Sequence, residues 1–319
     1  MHTDCQHAAP RRTRLAPSPT GALHLGNART FAINWAIARK QDWTIVLRIE
    51  DLDHPRVKPE TIDQAREDLA WLGLTWDEEV PLQSACLQPY VGALRQLGAS
   101  GRIFRCDRSR RDIAQAQSAP HEREHGLHYD PSLRPDDAGT AVAAPEQSAT
   151  WRFMVAEDDI TVNDAFAGSS TFDLSRVGGD FPVWTASGGP AYQLAVAVDD
   201  ARHGITDVIR GDDLLPSAAR QQAIQDALNL PTPQWWHVPL VRGADGRRLA
   251  KRHGDTRLAT FREAGVPAEQ VLGLMGYWCG MTEAPTPMTA ADFLAGLDVT
   301  AIPSHDITLT LEHIAWLTG

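Results

Sequence analysis

Three sets of residues have types and spacings that could do chemistry on a phosphorylated ligand. The stretch "RLAPSPTGALHLGN" (14–27) passes through a turn rich in Pro, Ser and Gly into His24-Leu25-Gly26-Asn27. A helix opening there would offer unpaired N–H groups and the positive end of its dipole to an anion. Gly26 would let a ligand approach the backbone, while His24 and Asn27 would donate hydrogen bonds to phosphate oxygens. Taken alone, the tetrapeptide fits ordinary turn chemistry as well. In "RRLAKRHGD" (247–255), Lys251 sits in a basic loop where its ammonium could offset charge developing on phosphoryl oxygens. By itself, such a run also reads as a solvated hairpin. The third set is Arg14, Glu50 in "RIEDLD", Tyr192 and Arg210, each near a strand start or end. Two guanidiniums could each grip one carboxylate of a dicarboxylic amino acid, with Glu50 accepting from its ammonium. Each residue alone reads equally as part of a structural ion pair.

The elements that must position these groups follow an α/β pattern. Residues 12–18 read as a short buried strand, and Leu25, Ala28, Ala32, Trp35 and Ala36 have helical spacing up to Lys40. "TIVLRIEDLD" (44–53) reads as a parallel strand delivering carboxylates at its C-terminal edge. Pro59 opens a helix through Ile62, Ala65, Leu69 and Leu72, stopped by Gly73; Ser84 is the expected cap of the next. After Gly101 the composition changes. Residues 114–150 show little periodicity, and 150–174 read as short strands with turns. "AYQLAVAVDD" (191–200) and "ITDVIRGDDLL" (205–215) are then read as strands ending in acids, and 217–230 as a helix capped by Ser217. The last 65 residues read as short helices. The expected domains are residues 1–100, the first half of a Rossmann-like domain; 101–185, a β-containing insertion; 186–255, the second half with the basic loop; and 256–319, a helical region.

The 319-residue chain has a net charge of −11, which argues against a general polyanion binder. Local basic runs at 102–111 and 242–257 leave RNA binding by one surface open. Cys5, Cys86, Cys106 and Cys279 form no close pair, pointing to free thiols in a reducing cytoplasm. No run of ~18–20 apolar residues is present, so neither secretion nor membrane spanning is expected.

Together, "RLAPSPTGALHLGNART", "LRIEDLD", "AYQLAVAVDD", "ITDVIRGDDLL" and "LAK" resemble, in order and spacing, the catalytic core of class I glutamyl-tRNA synthetases. "HLGN" looks like that family's HIGH signature and Arg248–Arg252 like its KMSKS-type loop. Only 68 residues follow Lys251, too few for the closing helices plus an anticodon-binding domain, so the chain is most similar to the glutamyl-queuosine tRNA(Asp) synthetases. The resemblance implies ATP-dependent, tRNA-independent activation of L-glutamate, then its transfer to queuosine at the wobble position of tRNA(Asp). It implies a glutamate pocket lined by Arg14, Leu15, Ala16, Pro17, Ser18, Glu50, Tyr192 and Arg210. ATP would meet His24, Asn27 and Lys251, with Mg²⁺ assisting, and the protein is expected to be monomeric.

Two departures from the family stand out. Ala250 replaces the usual Ser of the basic loop, a loss of about 1 kcal/mol that should leave activity intact. Many members carry zinc in the insertion as Cys-x-Cys…Tyr-x-x-x-Cys, whereas the matching residues here are Cys106, Arg108, Tyr129 and Leu133. One thiol and one phenol do not supply four ligands, so zinc is not expected, although the spacing of His121, His125 and His128 leaves a Cys/His site open. Three rival readings stand beside the leading one: a shortened glutamyl-tRNA synthetase charging the tRNA 3′ end, a nucleotidyltransferase with an HxGH-like motif, and a degenerate paralogue that only binds tRNA.

Overall fold

A computed structural model describes residues 10–52, 57–109, 111–113, 128–247, 249 and 255–319. The chain begins with β1 (Arg12–Leu15), α1 (Leu25–Lys40), β2 (Thr44–Leu47), α2 (Pro59–Trp71), β3 (Glu78–Glu79), α3 (Gln88–Ala99) and β4 (Ile103–Arg105). Next come β5 (Trp151–Phe153), β6 (Ile160–Asp164), β7 (Gly168–Phe172), β8 (Phe181–Thr185) and β9 (Gly189–Pro190). α4 (Tyr192–Arg202), β10 (Asp207–Gly211), α5 (Leu215–Leu228) and β11 (Gln234–Val238) follow. The C-terminal part holds β12 (Val241–Arg242), α6 (Leu258–Glu263), α7 (Ala268–Trp278), α8 (Ala290–Gly296), β13 (Ile307–Thr308) and α9 (Leu311–Thr318). These elements belong to two compact units, one made of residues 1–82, 205–212 and 238–319, the other of 83–204 and 213–237.

In the first unit β1, β2 and β3 form a parallel sheet in that order, with Arg12 opposite Thr44 and Leu47 opposite Glu79. Parallel pairing needs long crossovers, and α1 and α2 supply them. The chain returns beside β1 just before β10. The Thr206 N–H donates to the Arg12 carbonyl at 2.9 Å, and Arg11 pairs with Asp207. Ile45, Val46, Leu47 and Ile49 are fully buried, as are Leu25, Ala28, Ala32, Ile33 and Ala36 of α1. Each fully buried large aliphatic side chain stabilises the core by about 1.5–3 kcal/mol. Helix α1 also buries polar groups. Asn34 donates to the Arg14 carbonyl at 2.9 Å and lies 3.0 Å from the Thr13 hydroxyl, which donates to it. Arg29 donates to the carbonyls of Pro239 at 2.7 Å and Trp278 at 3.3 Å.

In the second unit β4, β5, β8 and β9 form an antiparallel sheet, and the β6–β7 hairpin pairs with β11 through Trp235 and Asp164. Asp199 of α4 accepts from the Tyr90 hydroxyl at 2.7 Å and from Gln83 at 2.8 Å, tying α3 to α4. Two readings of local structure are corrected here. Residues 192–202 are a helix, not a strand; its face from Leu194 to Asp200 is buried throughout, so the "LAVAV" run lacks the polar stripe that would have marked a helix. Ser217 is not a cap: α5 begins two residues earlier after Leu214, and the Ser217 hydroxyl accepts from Gln193 at 3.0 Å.

The residues at the family's zinc positions do not fit the metal. Cys106 is buried with Phe104, Ile113 and Tyr129, and its Sγ accepts from Arg152 at 3.3 Å. The Arg152 guanidinium lies 4.5 Å from the centre of the Tyr129 ring, whose hydroxyl donates to the Leu133 carbonyl at 2.8 Å. Burial, with Cys106 alongside, pushes the Tyr129 phenol up to about 12. The Tyr129 backbone exchanges hydrogen bonds with Gly178 and Asp180, and a Cβ on Gly179 would fall 1.9 Å from the Tyr129 carbonyl. Among the described residues no three His, Cys, Asp or Glu side chains group as metal ligands. His121 and His125 lie outside the described residues.

Candidate functional site

The ends of β1, β2 and β10 and the start of α1 assemble the sequence-predicted groups of the first unit. The ladder between β1 and β2 continues beyond both strands: the Arg48 N–H donates to Leu15 at 2.9 Å and the Glu50 N–H to Pro17 at 3.0 Å. Glu50 is thereby fixed beside the Leu15–Ser18 turn, in which Leu15 and Pro17 are buried and Ser18 is exposed. Arg14 and Arg210 are both buried, on β1 and β10 respectively, and Arg14 donates to the carbonyl of Ile209 at 3.4 Å. Backbone alternation turns Thr13 toward Asn34 of α1 and sends Arg14 to the opposite face of the sheet.

One functional group was missed by motif reading. Arg48, fully buried two residues before Glu50, forms an ion pair with the Glu50 carboxylate at 3.0 Å. Residues two apart on a strand share a face, so the "RIE" spacing itself carried the signal. The pair holds the Glu50 carboxylate against a buried guanidinium.

The start of α1 is a capping box. The Asn27 N–H donates to His24 Nδ1 and the His24 N–H to Asn27 Oδ1, each at 3.4 Å. A neutral imidazole that accepts at Nδ1 carries its proton on Nε2, and an amide that accepts at Oδ1 keeps Nδ2 as a donor. The Leu25 N–H is taken by the Thr256 carbonyl at 3.0 Å. Of the first-turn amides, the Leu25, Asn27 and Ala28 N–H groups are therefore already taken. A Cβ at Gly26 would meet the His24 ring at 3.2 Å and Leu249 at 3.6 Å.

The basic loop is attached at this same place. Upstream Leu249 packs over Gly26; downstream Leu258 donates to the Leu23 carbonyl at 2.8 Å and Arg257 bridges His24. Lys251 lies outside the described residues, as do Arg248, Ala250 and Arg252. Tyr192 belongs to the second unit, where it is the exposed first residue of α4. Behind it Gln221 donates to Gln193 at 3.0 Å, which donates in turn to Ser217.

The arrangement offers buried guanidiniums, a carboxylate and polar side chains at strand ends beside a helix start, which is where α/β sheets bind ligands. Residues 11–299 match the family of class I tRNA synthetases (E and Q), catalytic domain. A "Glutamyl-Q tRNA(Asp) synthetase" of Symbiobacterium thermophilum is 41% identical over 96% of this chain and 98% of its own length. One of Rhodopirellula baltica is 45% identical over 81% of this chain and 82% of its own length. A "Glutamate--tRNA ligase" of Synechococcus sp. is 38% identical over 88% of this chain but 62% of its own. A glutamate-tRNA synthetase structure from Elizabethkingia anophelis shares the fold with a TM-score of 0.79 at 24% identity, over 97% of this chain and 70% of that one. The chain is an aminoacyl-tRNA synthetase-like ligase and belongs to the class I tRNA synthetases of the E and Q type.

Proposed function

We propose that the protein activates L-glutamate with ATP, without tRNA, and transfers it to queuosine at the wobble position of tRNA(Asp). The observation that carries the amino-acid half is the convergence of Arg14, Arg210 and the Arg48-held Glu50 beside the α1 start. The two arginines pair with the carboxylates of glutamate, and Glu50 accepts from its ammonium. An α-carboxylate oxygen attacks the α-phosphorus of ATP in line, and the bond to the leaving pyrophosphate breaks. No side-chain base is needed, because a carboxylate is already ionised at neutral pH. His24 Nε2–H, the Asn27 amide and Lys251 stabilise the charge that develops on phosphate oxygens. Mg²⁺ bound to ATP would be held chiefly by phosphates and water, so it requires no all-protein cage. In the second step a queuosine hydroxyl attacks the glutamyl carbonyl, releasing AMP and leaving an ester.

The queuosine half is supported by the relatives named for it, one of them matched over 98% of its length. A cytoplasmic location agrees with that chemistry. The second reading, charging of the tRNA 3′ end, is favoured by the 38% identity to glutamate–tRNA ligases. Labelled glutamate incubated with ATP and tRNA(Asp) separates the two. We expect label only on queuosine-bearing tRNA, recovered in the anticodon-loop fragment after nuclease digestion and lost when queuosine is absent. Label on queuosine-free tRNA would favour 3′ charging. Lys251→Ala should abolish glutamate-dependent ATP–pyrophosphate exchange.

A further inference from the structure

The strand that leads into the basic loop is gripped from two sides. On one side, Arg29 of α1, itself fully buried, holds the Pro239 carbonyl. On the other, Asp306 reaches back from more than 60 residues downstream and accepts from the Leu240 N–H at 2.8 Å. Its second oxygen pairs with Arg242. The backbone repeats the contact, because β12 and β13 pair in parallel: Ile307 donates to Leu240 and Leu309 to Arg242, each at 2.8 Å. Arg242 also donates to the Gly246 carbonyl at 3.4 Å, in the turn closed by the Gly243–Arg247 hydrogen bond at 2.8 Å. Two residues after that turn, Leu249 packs over Gly26.

We infer that Asp306 is a positioning residue for ATP use: through Leu240 and Arg242 it fixes where the basic hairpin meets the first turn of α1. The inference rests on the proposed function for its kinetic readout. Asp306 touches no candidate glutamate ligand, so its loss should act on one substrate and not the other. Misplacing a phosphate-binding segment by about 1 Å can cost on the order of 100-fold in rate.

The test is glutamate-dependent ATP–pyrophosphate exchange with the full chain and the variants Asp306→Ala and Asp306→Glu. Asp306→Ala should raise the KM for ATP about 10- to 100-fold, with the glutamate KM changed by no more than about 2-fold. Asp306→Glu, which keeps the carboxylate, should recover much of the loss. Hydrogen exchange gives an activity-independent readout: amides of residues 241–249 should exchange faster in Asp306→Ala than in wild type. An unchanged KM for ATP in the alanine variant would overturn the inference, and so would an equal rise in both KM values. Wild-type protein lacking glutamate-dependent exchange would instead overturn the proposed function, and the amide exchange would still decide whether Asp306 holds the hairpin.

Discussion

At Gly26 a hydrogen stands where any other residue would carry carbon, between the His24 ring at 3.2 Å and Leu249 at 3.6 Å. Alanine would favour the helix there by up to about 1 kcal/mol, while displacing the His24 ring by a few tenths of an ångström. Gly26→Ala should therefore melt at or above the wild-type temperature, yet show a raised KM for ATP in pyrophosphate exchange. A variant that loses stability and activity together would show that the crowding damages the fold instead. This glycine was legible in the sequence because it lies between two hydrogen-bonding residues at a helix start. Arg48 was not, because in a run such as "TIVLRIEDLD" a buried arginine looks like a polar interruption until its partner is seen. Asn34 was hidden for the same reason: it sits on the buried face of α1, and only the Thr13 and Arg14 contacts explain it.

Between α2 and α6 lies a carboxylate in an unfavourable setting. Asp68 is fully buried, and neither of its oxygens has a hydrogen bond among the described residues. Arg262 approaches to 3.3 Å, with Glu67 and Glu263 nearby. Burial pushes the Asp68 carboxyl up to about 6, against the pull of Arg262. The folded state then holds this proton more tightly than the unfolded chain does. The contribution to stability is therefore full below about pH 4 and is lost as the pH rises toward 6. Asp68→Asn should be more stable than wild type at pH 7 by on the order of 1–3 kcal/mol, and the gap should close below pH 4. Parallel denaturation curves across that range would refute the assignment. A second element-scale expectation concerns Tyr129. Chelators should leave the melting temperature unchanged, whereas Tyr129→Phe, which loses the bond to Leu133, should cost about 1 kcal/mol. Stoichiometric zinc, with unfolding on its removal, would overturn this. Helix α2, whose buried residues Ile62, Ala65, Asp68 and Leu69 form one stripe, was readable from periodicity. Helix α4 was not, since burial around most of its circumference erases the period.

For the molecule as a whole, a net charge of −11 bears on how RNA is bound. Each phosphate neutralised adds roughly −0.9 to the slope of log affinity against log salt for a duplex. An acidic chain with two short basic runs should give a slope no steeper than about −5 for tRNA(Asp), measurable by fluorescence anisotropy between 50 and 200 mM salt. A steeper slope would mean a phosphate-gripping surface much larger than those runs provide. The parallel sheet was legible from its alternating strand and helix signals, but the return of β10 to β1 was not, because pairing partners so far apart leave no local trace. That return has a temporal side. Arg11 and its partner Asp207 are 196 residues apart, and chains are synthesised at about 5–20 residues per second. Arg11 must therefore wait on the order of 10–40 s on the ribosome before its partner exists. Residues 83–204 emerge during that interval, so most of the second unit can begin folding while the first unit is still incomplete.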